Sequence, residues 1–169
     1  MRSYGVFSAF AQDAIILVPN QVQFMLGAKL EHNDFTGYAF QPNMRLLWTP
    51  NERQTLWVAA SRALRAPSRA DHDLVVGLAV IPAPDGPDIF VTAFGDEDFL
   101  PEEARSLELG YRTRVRDNTL FDAAVFYTLY DDLRTSEPGL PYPDPQDPQN
   151  RLIAPVLFAN RMGATSYGG

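Results

Sequence analysis

The sequence predicts an all-β fold, an antiparallel up-and-down meander of about seven strands with long loops at one end and a possible hairpin at 74–95 within one of them. Two observations carry this. Apolar residues recur at every second position over several stretches of about ten residues, the period of a strand that is apolar on one side only. The connections between those stretches alternate between short polar turns and long segments rich in Pro and Asp.

Taken in order, a weaker strand is expected over 4–17. QVQFMLGAKLE at 21–31 is clearer, with Val22, Phe24, Leu26, Ala28 and Leu30 on one face and Gln23, Met25, Gly27, Lys29 and Glu31 on the other. A further weak strand is expected over 38–49. The stretch LWVAASRALRAPSRAD (56–71) is ambiguous. Leu56, Ala59, Ala60, Ala63 and Leu64 make a helical stripe, and Asn51 with Gln54 resembles a capping box. However, Trp57 and Val58 fall off that stripe, small residues suit a closely packed wall, and Pro67 ends ladder pairing. The expectation is therefore a strand over 54–65, with helix as the alternative and Arg65-Ala66-Pro67 at the rim.

LVVGLAVI (74–81) and DIFVTAFG (88–95) flank PAPDGP and suggest a small hairpin inside the first long loop. The segments 105–115 and 119–132 alternate strongly and are joined by the tight polar turn 115–118. The last weak strand is expected over 152–166. Short connections fall at 18–20, 50–53 and 116–118, and long ones at 66–103 and 133–151; Phe35-Thr36-Gly37 is the one short member on the long side. Turns on one rim and variable loops on the other are the layout of an outer-membrane β-barrel.

The composition permits that layout. The 169 residues carry a formal charge of -7 and no cysteine. An acidic chain offers no electrostatic footprint for nucleic acid, and the missing thiols exclude disulfides and thiol chemistry. The longest apolar run, Leu74–Ile81, falls short of the roughly 20 residues of a membrane-spanning helix, a criterion blind to transmembrane strands.

Six segments together resemble the β-barrel of TonB-dependent outer-membrane receptors: SAFAQDAIIL, LGAKLEHNDFTGYAFQPNMRLLWTP, TLWVAASRALRAPS, FLPEEARSLELGYRTRV, LFDAAVFYTLYDDL and FANRMGATSYGG, in the family's order and spacing. The resemblance implies an arc of a large barrel, with residues 1–169 a partial receptor barrel domain. The plug, the TonB box and the remaining strands are expected to lie outside it. It further implies uptake of a scarce extracellular ligand, such as a ferric siderophore or similar iron complex. The expected partners are outer-membrane lipid and, through the plug of the full-length protein, the TonB complex. A free fragment with open strand edges is expected to be poorly stable. A soluble all-β binding module and a passive porin-like segment are the competing readings.

No enzyme motif is present: Ser61, Ser68 and Ser106 lack a nucleophile signature, and no P-loop or dinucleotide motif occurs. No cofactor, bound metal or nucleic-acid partner is expected. Arg65, Arg69, His72 and Tyr142 are the loop candidates for touching ligand. Arg62, Arg65 and Arg69 could grip an anionic ligand through bidentate guanidinium contacts, or could simply pair with wall carboxylates such as Glu108. His32 and His72 with Asn33, Asp34, Asp71 and Asp73, and the acidic run Asp96, Glu97, Asp98, Glu102 and Glu103, read as solvated loop groups before they read as metal ligands. Tyr4, Tyr38, Trp48, Trp57, Tyr111 and Tyr127 are expected in interfacial girdles or lipid-facing packing.

Overall fold

In the computed structural model, which describes residues 5–34, 36–148 and 151–169, the alternating segments are strands. Tyr4, where the first strand was placed to start, and Phe35 of the 35–37 connection lie outside the described residues. The seven long strands are β1 (Val6–Val18), β2 (Val22–Asn33), β3 (Gly37–Asn51), β4 (Gln54–Arg65), β7 (Glu102–Arg116), β8 (Thr119–Pro138) and β10 (Arg151–Gly168). Between them come a five-residue helix α1 (Arg69–Asp73), the short strands β5 (Val75–Ile81) and β6 (Asp88–Phe94), and the two-residue β9 (Tyr142–Pro143). Contacts divide the chain into two units. The first holds Met1–Arg65, Glu103–Asp131 and Gly163–Gly169, and the second Ala66–Glu102 and Asp132–Met162.

In the first unit the strands follow the order β1-β2-β3-β4-β7-β8, each pair of chain neighbours antiparallel, in an open sheet. The ambiguous stretch at 54–65 is a strand end to end, pairing Trp48 with Leu56 and Asn43 with Ser61. Its apparent capping box is a turn device: the Asn51 side chain accepts from the Arg53 amide at 3.0 Å and donates to Gln54 at 3.2 Å. The turn after β1 places Asn20 at φ 60, a left-handed position Asn tolerates.

Directly opposed residues share a face, so the register sorts the side chains. One face carries Ile15, Phe24, Leu46 and Val58 in one row and Val22, Trp48 and Leu56 in the next. On β7 and β8 it carries Leu107 with Tyr127 and Leu109 with Val125. The other face carries Gln12, Gly27, Asn43 and Ser61 in one row, then Ser106 with Thr128 and Arg112 with Asp122. Among the described residues of the chain the buried apolar side chains, prolines apart, are Ala39, Ala93, Phe99 and Phe158, while Phe40, Met44, Trp48, Leu107, Leu109 and Val125 are each about half exposed. The apolar face therefore has no covering layer within this chain.

The second unit has its own small core of Ala93, Phe99 and Phe158, with Leu74 packed against it. β5 and β6 form the expected hairpin, closed by a turn in which the Gly86 amide reaches the Ala83 carbonyl at 3.2 Å. One pairing departs from the expected antiparallel meander. β6 runs parallel to the start of β10, from Asp88 opposite Arg151 to Phe94 opposite Leu157. A parallel pair needs a long crossover, and here β7 and β8 lie between the two partners in sequence.

Candidate functional site

The helical alternative for 56–64 is not realised, and the only helix near LWVAASRALRAPSRAD is a five-residue one at its end. Ser68 caps α1 in a capping box: the Asp71 amide donates to the Ser68 hydroxyl, and the Ser68 amide donates back to the Asp71 carboxylate at 2.8 Å. The other carboxylate oxygen of Asp71 takes Arg134 of β8 at 3.0 Å, and the Asp71 carbonyl accepts from the Asp96 amide at 2.8 Å. The Arg134 guanidinium lies 3.8 Å from the centroid of Phe158, and its backbone amide donates to Glu102 at 2.9 Å. Asp71, only 2% exposed, is thus fixed through side chain and backbone from three directions. It ties α1, the return towards β7 and the end of β8 to the apolar core of the second unit. Gly95 passes so close to α1 that a Cβ there would sit 2.6 Å from the His72 carbonyl.

Asn160 makes a second tie. Its side chain accepts from the Leu100 amide at 2.8 Å and donates to the Leu100 carbonyl at 3.1 Å and the Asp132 carbonyl at 2.6 Å. Asp132 is held at φ 56, an uncommon conformation for a non-glycine residue inside a strand.

Of the four ligand candidates, Arg69 and His72 lie together on α1. Arg69 is exposed and faces Asp73 at 3.5 Å, whereas His72 is buried, 7% exposed. Tyr142, in β9, is exposed and opposes Ile153 of β10. Arg65 is the exposed last residue of β4. Arg62 does not reach Glu108. It pairs with Glu103 at 2.7 Å, donates to the Phe40 carbonyl at 2.9 Å and shares Glu103 with Arg105, which lies 3.9 Å from Asp131. These charges continue the sides of β4, β7 and β8 that carry Val58, Leu107 and Leu129, beyond their apolar residues. Sequence reasoning missed this network and the Asp71–Arg134 tie, because partners 41 and 63 residues apart leave no local pattern.

Trp57 departs from expectation. It shares the polar face with Leu47 and Gln23, not the apolar face with Trp48. Arg45 stacks on it at 4.7 Å, and its ring occupies the space that a side chain at Gly110 would need. The signal was available in the alternation, since Trp57 is out of phase with Leu56 and Val58. No group of three or more potential metal ligands occurs among the described residues. No helix of the described residues is long and apolar enough to cross a membrane, which says nothing about strands that do.

The family model described as TonB dependent receptor-like, beta-barrel, matches residues 1–169. Solved structures similar to the chain include a mutant ferric enterobactin receptor from Pseudomonas aeruginosa in complex with enterobactin. That match has a TM-score of 0.79 and 22% identity, over 98% of this chain and 24% of that one. The siderophore receptor PirA from Acinetobacter baumannii matches with TM-score 0.76 and 17% identity, over 98% and 24%. PirA from Pseudomonas aeruginosa matches with 0.74 and 19%, over 98% and 30%. The chain thus spans about a quarter of the length of the first of these receptors. No curated protein matches it significantly.

Proposed function

The chain belongs to the TonB-dependent receptor β-barrel family, whose members are outer-membrane proteins, and on that premise we propose that it forms wall and outer segments of a receptor for TonB-energised uptake of an iron complex, a ferric siderophore or a similar chelate. The observation that supports this most is the sorting of the first unit's antiparallel strands into an exposed apolar face and a polar face. A soluble module would bury that apolar face; a barrel wall turns it to lipid and the polar face to the lumen. The neighbours named for siderophores support the ligand class. Arg65, Arg69 and Tyr142 are the exposed outer-segment residues proposed to meet ligand, with buried His72 acting behind them through α1.

Growth on ferric siderophores as sole iron source tests this, comparing cells with and without the full-length receptor and with and without TonB. Growth should require both. Growth that survives loss of TonB would mean a passive pore. The face assignment has its own test. Leu109→Arg in the full-length receptor should cost about 2–4 kcal/mol of barrel stability, as charge near the bilayer midplane does, while Ser61→Arg on the polar face should assemble nearly as wild type. Equal yields of the two variants in the outer membrane would refute the assignment.

A further inference from the structure

Asp13 stands in the middle of the apolar face. It opposes Leu26 of β2, and the same row continues through Met44 of β3 to Ala60 of β4. Towards the turn at 19–21 lie the rows of Ile15, Phe24, Leu46 and Val58, then of Val22, Trp48 and Leu56. In the other direction lie Ala11, Ala28 and Pro42, then Ala9, Leu30 and Phe40. A strand residue reaches its directly opposed and diagonal neighbours. For Asp13 on β2 these are Leu26, Phe24 and Ala28, and none has a side-chain donor. The polar contact of the carboxylate is local: Oδ1 accepts the Ala14 amide at 2.8 Å, and among the described residues it has no ion-pair partner. A charge at the centre of a lipid-facing belt is costly unless it is paired.

β2 fills one edge of β1, and the other edge is open in this sheet. In lipid an open edge strands backbone amides and carbonyls, so a closed barrel seats a further wall strand there. That strand is the element placed to bring a partner to the second Asp13 oxygen. A hydroxyl would supply a hydrogen bond and leave the net charge in lipid; a cation removes both costs. We propose that the wall strand seated on the free edge of β1 in the full-length receptor carries an arginine or lysine on its lipid-facing side, within one cross-strand pair of Asp13, and that this ion pair sets the register of the joint. The inference rests on the lipid-facing assignment above and goes beyond it. Ala9 and Ala11 are too small and too alike to tell neighbouring registers apart. A slip of one residue turns Asp13 to the polar face, and a slip of two carries it past the cation to the next row. A single polar pair in an otherwise apolar contact is the best-attested device for selecting register.

The test follows the thermal midpoint of the full-length receptor in lipid vesicles. Met44→Asp is the control for depth: it puts a second carboxylate into the same row, on a strand paired along both edges, and should lower the midpoint. Tolerance of Met44→Asp refutes the lipid-facing assignment itself. Asp13→Leu then decides by sign. Without a partner it takes a charge out of lipid and raises the midpoint; with the proposed partner it strands a cation and lowers it. Asp13→Asn keeps the shape and should fall between Asp13→Leu and wild type. Changing the opposed arginine or lysine to leucine should lower the midpoint in the same way, and the double variant with Asp13→Leu should recover above either single one, the mark of direct coupling. If Asp13→Leu does not assemble, assembly of the double variant supports the inference and its failure overturns it. A rise or no change in Asp13→Leu, or an adjoining strand with no lipid-facing Arg or Lys in reach, overturns it and leaves the face assignment standing. Additive effects of the two changes overturn it as well, and assign Asp13 to a lipid amine or a separate protein.

Discussion

Replacing Asp71 with alanine loosens the second unit by about 3 kcal/mol while leaving the strands of the first unit assembled. The expectation follows from what the carboxylate holds. It accepts the Ser68 amide and hydroxyl, each at 2.8 Å, and pairs with Arg134 at 3.0 Å. Losing the reciprocal half of a cap costs on the order of 1 kcal/mol. Breaking a buried ion pair by removing one member costs about 3–5 kcal/mol where the survivor stays buried. Here the Arg134 side chain is 40% exposed and can be rehydrated, so that second cost is discounted to about 2 kcal/mol. Asp71→Asn keeps an oxygen for the Ser68 amide and should lose only about half as much. Native-state hydrogen exchange over 68–75 and 93–99 reads the effect directly, because those amides report opening of α1 and the Gly95 approach. Unchanged protection in Asp71→Ala would show that the apolar core of Ala93, Phe99 and Phe158 holds the unit without this tie.

The elements legible in the sequence are those whose information is local. Period-2 alternation places β2, β7 and β8 and assigns their faces, because a strand's side chains must alternate and one face of this sheet is apolar. The Pro-rich PAPDGP between two apolar runs marks the β5–β6 hairpin. The competing helical reading, from the stripe of Leu56, Ala59, Ala60, Ala63 and Leu64 and the pair Asn51 and Gln54, is not realised; the capping box that does form, Ser68 with Asp71, opens a five-residue helix just past the strand. What was not legible depends on pairing across the chain. The parallel seating of β6 on β10 needs the path of β7 and β8, and nothing within DIFVTAF specifies it. Asp71 looks like any acidic loop residue until Arg134 is placed beside it. Trp57 was misassigned for a different reason: its aromatic character was weighed above its phase in the alternation. The phase was right.

That phase makes Gly110 the most demanding position in the wall. Trp57 of β4 shares the polar face with Gly110 of β7, and the space a methyl at Gly110 would take is already filled by the indole nitrogen and its neighbouring ring carbons. Gly27 offers the contrast. Its absent Cβ would meet the Asn43 amide at 2.9 Å, but that amide ends a short side chain that can rotate away. An indole clamped between Arg45 and the backbone of β7 cannot do so without giving up the stacking on Arg45, worth about 0.5–1 kcal/mol. Overpacking of this kind costs about 1–3 kcal/mol. Gly110→Ala should therefore lower the thermal stability of the full-length receptor markedly, whereas Gly27→Ala should do so little. The diagnostic step is the double variant. With Trp57→Ala in place, Gly110→Ala should become nearly neutral, giving a coupling energy between the sites of about 1–3 kcal/mol. If Gly110→Ala costs as much without the indole as with it, the penalty lies in the strand backbone, and Trp57 is not what requires glycine there.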